Sequence, residues 1–173
     1  YLLGSISWGY MLLQWKMGVD VREFGSGRTG MSNVLRTGGV KSAVVVLTLD
    51  IGKGVMAVVL AREVIGTNGA EVAAGLFVLA GHNWPVFLNF RGGKGAAAIF
   101  GISLVIVPWL TIITAGPSIL VMLLLRNVVL GAAFGFISLN ILLWVTGQGA
   151  EQVGLCLLLT LLVTGTYVLN VRD

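Results

Sequence analysis

Arg91 and Lys94 stand among four glycines in NFRGGKGAAAIFG, residues 89–101, directly before a run of alanines and apolar residues with the composition of a membrane helix. Gly92 and Gly93 precede Lys94, and a helix is expected to begin near Gly95. A helix N-terminus presents unpaired N–H groups and a partial positive charge, so an anion placed there is held by the dipole and by the lysine together. The chemistry that suits this stretch is phosphate binding. A second stretch, GSGRTGMSNVLRTGG at residues 25–39, combines five glycines with Ser26, Ser32, Asn33, Arg28 and Arg36. Glycines let the backbone turn with positive φ and approach a ligand closely, so successive N–H groups can form an anion-binding concavity that hydroxyls and an arginine complete. An ordinary cytoplasmic loop would carry such arginines too. Two such loops in one small chain favour a shared site.

Nucleotide hydrolysis is a poor rival. The phosphate-loop pattern needs Ser or Thr after the lysine and a strand before the loop, whereas Gly95 follows Lys94 and the preceding segment is helical in pattern. A serine nucleophile with a base beside it is likewise unsupported.

The elements that must position these loops are membrane helices. The chain is 57% hydrophobic and 10% charged over 173 residues, with mean hydropathy +0.97, far from the roughly 25% charge of soluble domains. An all-α integral membrane protein follows, organised as a single polytopic domain over residues 1–173. Spans of about 20 apolar residues fall at residues 1–15, 42–61, 70–90, 95–111, 112–125, 128–146 and 151–170. That makes seven, the fourth and fifth short and separable only by Pro108, Gly116 and Pro117. Lys16, Arg22, Arg28, Arg36 and Lys41 crowd the first loop, Arg91 and Lys94 the third, and Arg126 the fifth, while Arg172 lies at the end. Cationic loops stay inside, which predicts an external N-terminus, a cytoplasmic C-terminus and both glycine-rich stretches on the cytoplasmic face. Trp15, Trp84, Trp109 and Trp144 sit near span ends, as interfacial aromatics do. The chain opens on Tyr1 within an apolar run, so its first span is expected to be trimmed or embedded in a longer chain rather than a signal peptide. Cys156 is a lone cysteine in an apolar run and reads as a buried structural thiol.

Residues 25–39 resemble the first motif, and GHNWPVFLNFRGGKGAAA at residues 81–98 the second, of the bacterial acyl-phosphate:glycerol-3-phosphate acyltransferase family, PlsY. YLLGSISWGYML and LTLDIGKGVMAVVLA resemble that family's first two spans, so the likeness extends over nearly the whole chain. It implies an inner-membrane enzyme of seven helices, with its site facing the cytoplasm. Such an enzyme transfers a fatty acyl group from acyl phosphate to the 1-hydroxyl of glycerol 3-phosphate and forms lysophosphatidic acid. It implies no cofactor and no metal; acyl phosphate, glycerol 3-phosphate and the lipid bilayer are the expected partners, with no nucleic acid and a monomeric state. Carried across, it makes Ser26, Arg36 and Lys94 the catalytic phosphate contacts. Gly27, Asn33, His82, Gly92, Gly93, Gly95 and Asn170 become substrate-binding residues. Acyl phosphate is a mixed anhydride with a good leaving group, so positioning and charge stabilisation supply most of what its transfer needs. The family's proposals let the acyl-phosphate group itself help take the proton.

The only histidine is His82, and acyltransferases that pair a histidine with an aspartate five residues on are excluded because that position is Phe87. His82 reads as structural or substrate-orienting rather than as a base. Asp50 and Lys53, three apart on a helix, can pair and so lower the cost of burying either, and a pair there could also aim Lys53 at the site. The pattern departs from the family at two places. LLLRNVVLGAAFGF puts Val129 and Ala132 where the family usually has serines, and YVLNVRD keeps Asn170 and Arg172 but puts Tyr167 where it usually has histidine. A divergent enzyme is the favoured reading. An impaired or repurposed paralogue, or a transporter or binding protein for a phosphorylated solute, is the alternative, although no internal repeat supports transport.

Overall fold

The computed structural model of the chain describes residues 1–169, with side chains as far as Thr166. Every regular element among them is helical: α1 (Leu2–Ser5), α2 (Trp8–Met17), α3 (Met31–Val64), α4 (Asn68–Asn83), α5 (Ala96–Ile106), α6 (Pro108–Leu124), α7 (Val128–Val145) and α8 (Ala150–Leu169). Single 3-10 turns at Val21–Glu23 and Val86–Leu88 precede the two glycine-rich stretches. α3 and α7 are long and apolar enough to cross a membrane, and α5, α6 and part of α8 are shorter apolar helices.

Burial runs opposite to that of a soluble protein. Trp109, Leu124 and Trp144 are more than two-thirds exposed, whereas Asp50, Lys53, His82 and Asn33 are each at most 5% exposed. Many large apolar side chains face outward, while charged and amide groups are paired inside, Lys53 with Asp50 and Asn33 with its own loop, as hydrocarbon surroundings require.

Local chemistry sets the helix ends. The Thr67 side chain accepts from the Ala70 N–H and the Asn127 side chain from those of Val129 and Leu130, each capping an N-terminus. Pro108 opens α6 at the position where its missing N–H costs nothing. This moves the boundary between the fourth and fifth spans from the expected residues 111/112 to Val107, where α5 turns sharply into α6. The first span is likewise two pieces, broken at Ile6 and Ser7 without glycine or proline to announce it. Lys53 explains how the break survives. Its ammonium donates to the carbonyls of Gly4 and Ile6, each at 3.0 Å, and lies 3.0 Å from Asp50 Oδ1. Backbone groups freed inside a membrane need such partners. Lys53 therefore points at α1 and not at the glycine-rich loops, so the pair is structural.

Residues 31–38, expected as loop, form the first turns of α3. A break follows at Gly39, whose φ of 78° only glycine adopts readily. Beyond it α3 crosses α5 at close range: a Cβ on Gly54 would strike the Ala98 carbonyl, and one on Gly101 the Ile51 carbonyl. Small residues let membrane helices approach in this way. α4 and α8 complete the packing around α5, with Val58, Leu79, Ile102 and Leu159 fully buried between them.

Candidate active site

Asn33 organises the first loop. Its Nδ2 donates to the carbonyls of Val21, Phe24 and Arg28 at 2.8–2.9 Å, and its Oδ1 accepts the Ser26 N–H at 3.0 Å. Those contacts occupy the amide, so Asn33 shapes the turn that presents Ser26 and Arg28 although it also borders the cavity. Gly27 does not line the cavity: it takes φ of 65° and gives its N–H to Phe24, which makes it a turn residue instead of the expected substrate contact. Arg22 ties this loop to the next, pairing with Asp20, donating to the Leu88 carbonyl at 3.0 Å and lying over the Tyr10 ring.

The second loop is fastened to the end of α4. The Gly92 N–H donates to the Asn83 carbonyl and the Gly93 N–H to the His82 carbonyl, while the Thr29 N–H reaches across to Gly92. A Cβ on Gly93 would overlap the His82 ring, and one on Gly92 the His82 carbonyl. These two glycines are required for close packing, and their amides are bonded to the end of α4, so their part in the site is to seat Lys94. Gly95, with φ of 89°, is the N-cap of α5 and does face the cavity.

A cavity of about 560 Å³ joins these parts. Its upper end is bounded by Ser26, Arg28 and Arg36 of the first loop and α3, by Lys94, and by the first turns of two helices: Met31 and Ser32 of α3, Ala96 and Ala97 of α5. The leading amides of a helix have no carbonyl within it, so two partly positive helix ends and three cations face one space. Burial, then repulsion from Arg28 and Arg36, holds the Lys94 ammonium below the ordinary lysine pKa. An anion beside Lys94 would favour its charged form. His82 and Asp50 border the cavity lower down, with His82 Nδ1 3.5 Å from Asp50 Oδ1. Asp50 is the only carboxylate among the described lining residues, and Lys53 and His82 oppose it.

Below the cations the cavity becomes apolar and runs between α5, α6 and α7. The arrangement can hold a phosphate at one end and a hydrocarbon chain at the other. A family profile described as "Glycerol-3-phosphate acyltransferase" matches residues 1–173. Relatives called glycerol-3-phosphate acyltransferase occur in Thermoanaerobacter pseudethanolicus, 42% identical across 86% of this chain and 76% of the relative. Another, in Parasynechococcus marenigrum, is 39% identical across 99% and 81%. The chain belongs to the glycerol-3-phosphate acyltransferase family.

The fold agrees with that assignment. The crystal structure of PlsY, described as an integral membrane glycerol 3-phosphate acyltransferase in its glycerol 3-phosphate form, superposes with a TM-score of 0.91. It is 32% identical, covering 99% of this chain and 86% of the other. Its lysophosphatidic acid form superposes with a TM-score of 0.87 at 29% identity over the same shares. This member of the acyltransferase family is therefore a membrane enzyme of phospholipid synthesis. Val129 and Ala132, where the family usually has serines, line the cavity wall and leave α7 apolar there. Thr114 and Ser118 of α6 border the same space, but both hydroxyls donate to carbonyls of their own helix, Thr114 to Leu110 and Thr111 and Ser118 to Thr114, with Ser118 opposite Gly135. Sequence reasoning missed these two, although their spacing of four on an apolar helix puts both on one face. Asn170 and the Tyr167 side chain lie outside the described residues.

Proposed function

We infer that this enzyme transfers a fatty acyl group from acyl phosphate to the 1-hydroxyl of glycerol 3-phosphate, giving lysophosphatidic acid and inorganic phosphate. The observation that carries this reading is the cavity's composition: three cations and two helix N-termini at one end, a hydrocarbon-lined groove at the other. Lys94, Arg36 and Ser26 would hold phosphate, with Arg28 and the first amides of α3 and α5 beside them. The glycerol hydroxyl oxygen attacks the acyl carbonyl carbon, the bond from that carbon to the phosphate oxygen breaks, and the leaving phosphate takes the hydroxyl proton. The cations stabilise charge that moves onto phosphate as that bond breaks. Neither a metal nor a nucleophilic side chain enters this sequence. Seven spans with an external N-terminus and a site open to the cytoplasm, in an enzyme acting as a monomer, complete the reading; the clustering of Arg28, Arg91 and Lys94 in the loops and Arg36 in the first turns of α3 supports the orientation.

The donor is the testable element. Purified enzyme given glycerol 3-phosphate with palmitoyl phosphate, palmitoyl-CoA or a palmitoyl carrier-protein thioester is expected to form lysophosphatidic acid from the first alone. Equal rates with the CoA ester would overturn the acyl-phosphate assignment, because that leaving group has no use for a compact phosphate cradle.

A further inference from the structure

Arg22 does not line the cavity, yet its side chain joins the two loops that bring cations to it. The residue belongs to the 3-10 turn Val21–Glu23, at the start of the first loop. Nε and Nη2 donate to the Asp20 carboxylate at 2.6–3.1 Å, and the guanidinium carbon lies 5.2 Å from the centre of the Tyr10 ring on α2. A planar fork fixed along one edge aims its remaining nitrogen in a set direction. That nitrogen, Nη1, donates to the Leu88 carbonyl of the second loop at 3.0 Å. The guanidinium also holds the Asp20 carboxyl below the usual carboxylate range, so the pair stays charged at neutral pH.

The Leu88 carbonyl is a sensitive point to hold. It accepts the Arg91 N–H as well, at 3.1 Å, and stands directly before Asn89 and Phe90, whose φ values of 52° and 62° are uncommon for residues with side chains. Such a conformation persists only where its surroundings fix it. A second bond crosses between the loops in parallel, from the Thr29 N–H to the Gly92 carbonyl at 3.4 Å. Arg22 and Thr29 thus bracket the stretch that carries Ser26 and Arg28, while Gly92 and Gly93 fasten the loop of Lys94 to the end of α4.

We propose that Arg22 is a positioning residue for acyl transfer: its clasp on the Leu88 carbonyl holds Ser26 and Arg28 of the first loop in register with Lys94 of the second, so that both loops close on one phosphate. Asp20 anchors the clasp and Tyr10 backs it. The proposal rests on the phosphate-binding reading of the cavity and names what aligns its two halves.

The test is a double-mutant cycle between Arg22 and Lys94. kcat/KM is measured as lysophosphatidic acid formed from palmitoyl phosphate and glycerol 3-phosphate, and glycerol 3-phosphate binding is measured by calorimetry on the same proteins in detergent. Arg22→Ala is expected to lower kcat/KM by about 10- to 100-fold, the cost of a misplacement of about 1 Å set up away from the chemistry. In a Lys94→Ala background the same change should cost less than about threefold, because the charge that the register aligns is gone. A variant that merely leaves part of the protein unfolded lowers both backgrounds by one factor, so the cycle separates positioning from folding. Arg22→Lys keeps the charge without the fork and should recover only part of the loss. Asp20→Asn, which weakens the anchor, should fall between Arg22→Ala and wild type, and it takes the place of Arg22→Ala in the cycle if that protein does not fold. Wild-type rates in Arg22→Ala, or equal losses in the two Lys94 backgrounds, would overturn the proposal. No product from folded wild-type enzyme would instead overturn the acyl-phosphate reading, and the binding cycle then decides the clasp: lost affinity in Arg22→Ala that vanishes in the Lys94→Ala background supports it, and equal losses sink it.

Discussion

Lys94→Ala is expected to lower turnover by about 100- to 1000-fold, the cost of removing one preorganised group that stabilises developing charge. Lys94 is the residue through which the two loops act as one. It stands one residue before the N-cap of α5, borders the cavity, and feels Arg28 and Arg36 from the other loop. Deleting it leaves the helix dipole and the arginines, which bind an anion without the ammonium that completes its cage. The same residue sets a pH limit. An anion needs the charged form, and burial with two neighbouring guanidinium groups lowers the free-enzyme pKa from the ordinary 10.5. The sign follows: kcat/KM falls as pH rises through that lowered value, earlier than for an exposed lysine. Lys94→Arg keeps its charge at any such pH and should push the alkaline limb upward while lowering the maximum rate. Wild-type rates for Lys94→Ala, measured as lysophosphatidic acid formed, would remove Lys94 from the site.

Lys53→Ala should produce the largest loss of stability, about 3–5 kcal/mol, because it leaves a buried partner charge uncompensated. Asp50 and Lys53 are 3.0 Å apart with side chains at most 3% exposed. The lysine also satisfies the two carbonyls at the break between α1 and α2. Its removal strands two backbone acceptors in a membrane interior and leaves the Asp50 carboxylate with only His82, at 3.5 Å, beside it. Thermal unfolding in detergent measures the loss. Replacing the pair together, Asp50→Asn with Lys53→Met, should recover part of it, since the uncompensated charge is gone while the break still lacks its donor. A Lys53→Ala protein as stable as wild type would show that the break needs no such partner.

What the sequence made legible was whatever depends on local composition. The two glycine-rich cationic stretches were visible because glycines and cations stand out against an apolar background. The last two helices, α7 and α8, lie close to the expected residues 128–146 and 151–170 because hydropathy alone determines them. Other features depend on what lies across the fold. Gly92 and Gly93 look like ligand-binding residues in sequence, yet their amides are committed to α4 and the Gly93 face is filled by His82. Asn33 looks like a substrate contact, yet four partners in its own loop use its amide. The α5–α6 corner could be placed only by knowing that Pro108 starts a helix rather than bending one.

The divergent positions bear on activity more than on fold. Val129 and Ala132 leave one wall without hydroxyls, and Thr114 and Ser118 border the facing wall with their protons donated to the α6 backbone. Ser26, Arg28, Arg36 and Lys94 border the cationic end without them. The central claim is therefore that this chain turns over, and the measurement that tests it most directly is phosphate release from an acyl phosphate by the purified enzyme in lipid, with and without glycerol 3-phosphate. The account predicts release that depends on the acceptor and equals the lysophosphatidic acid formed. Release that ignores the acceptor, or none from folded protein that still binds glycerol 3-phosphate, would contradict it and mark the chain as a repurposed binding protein.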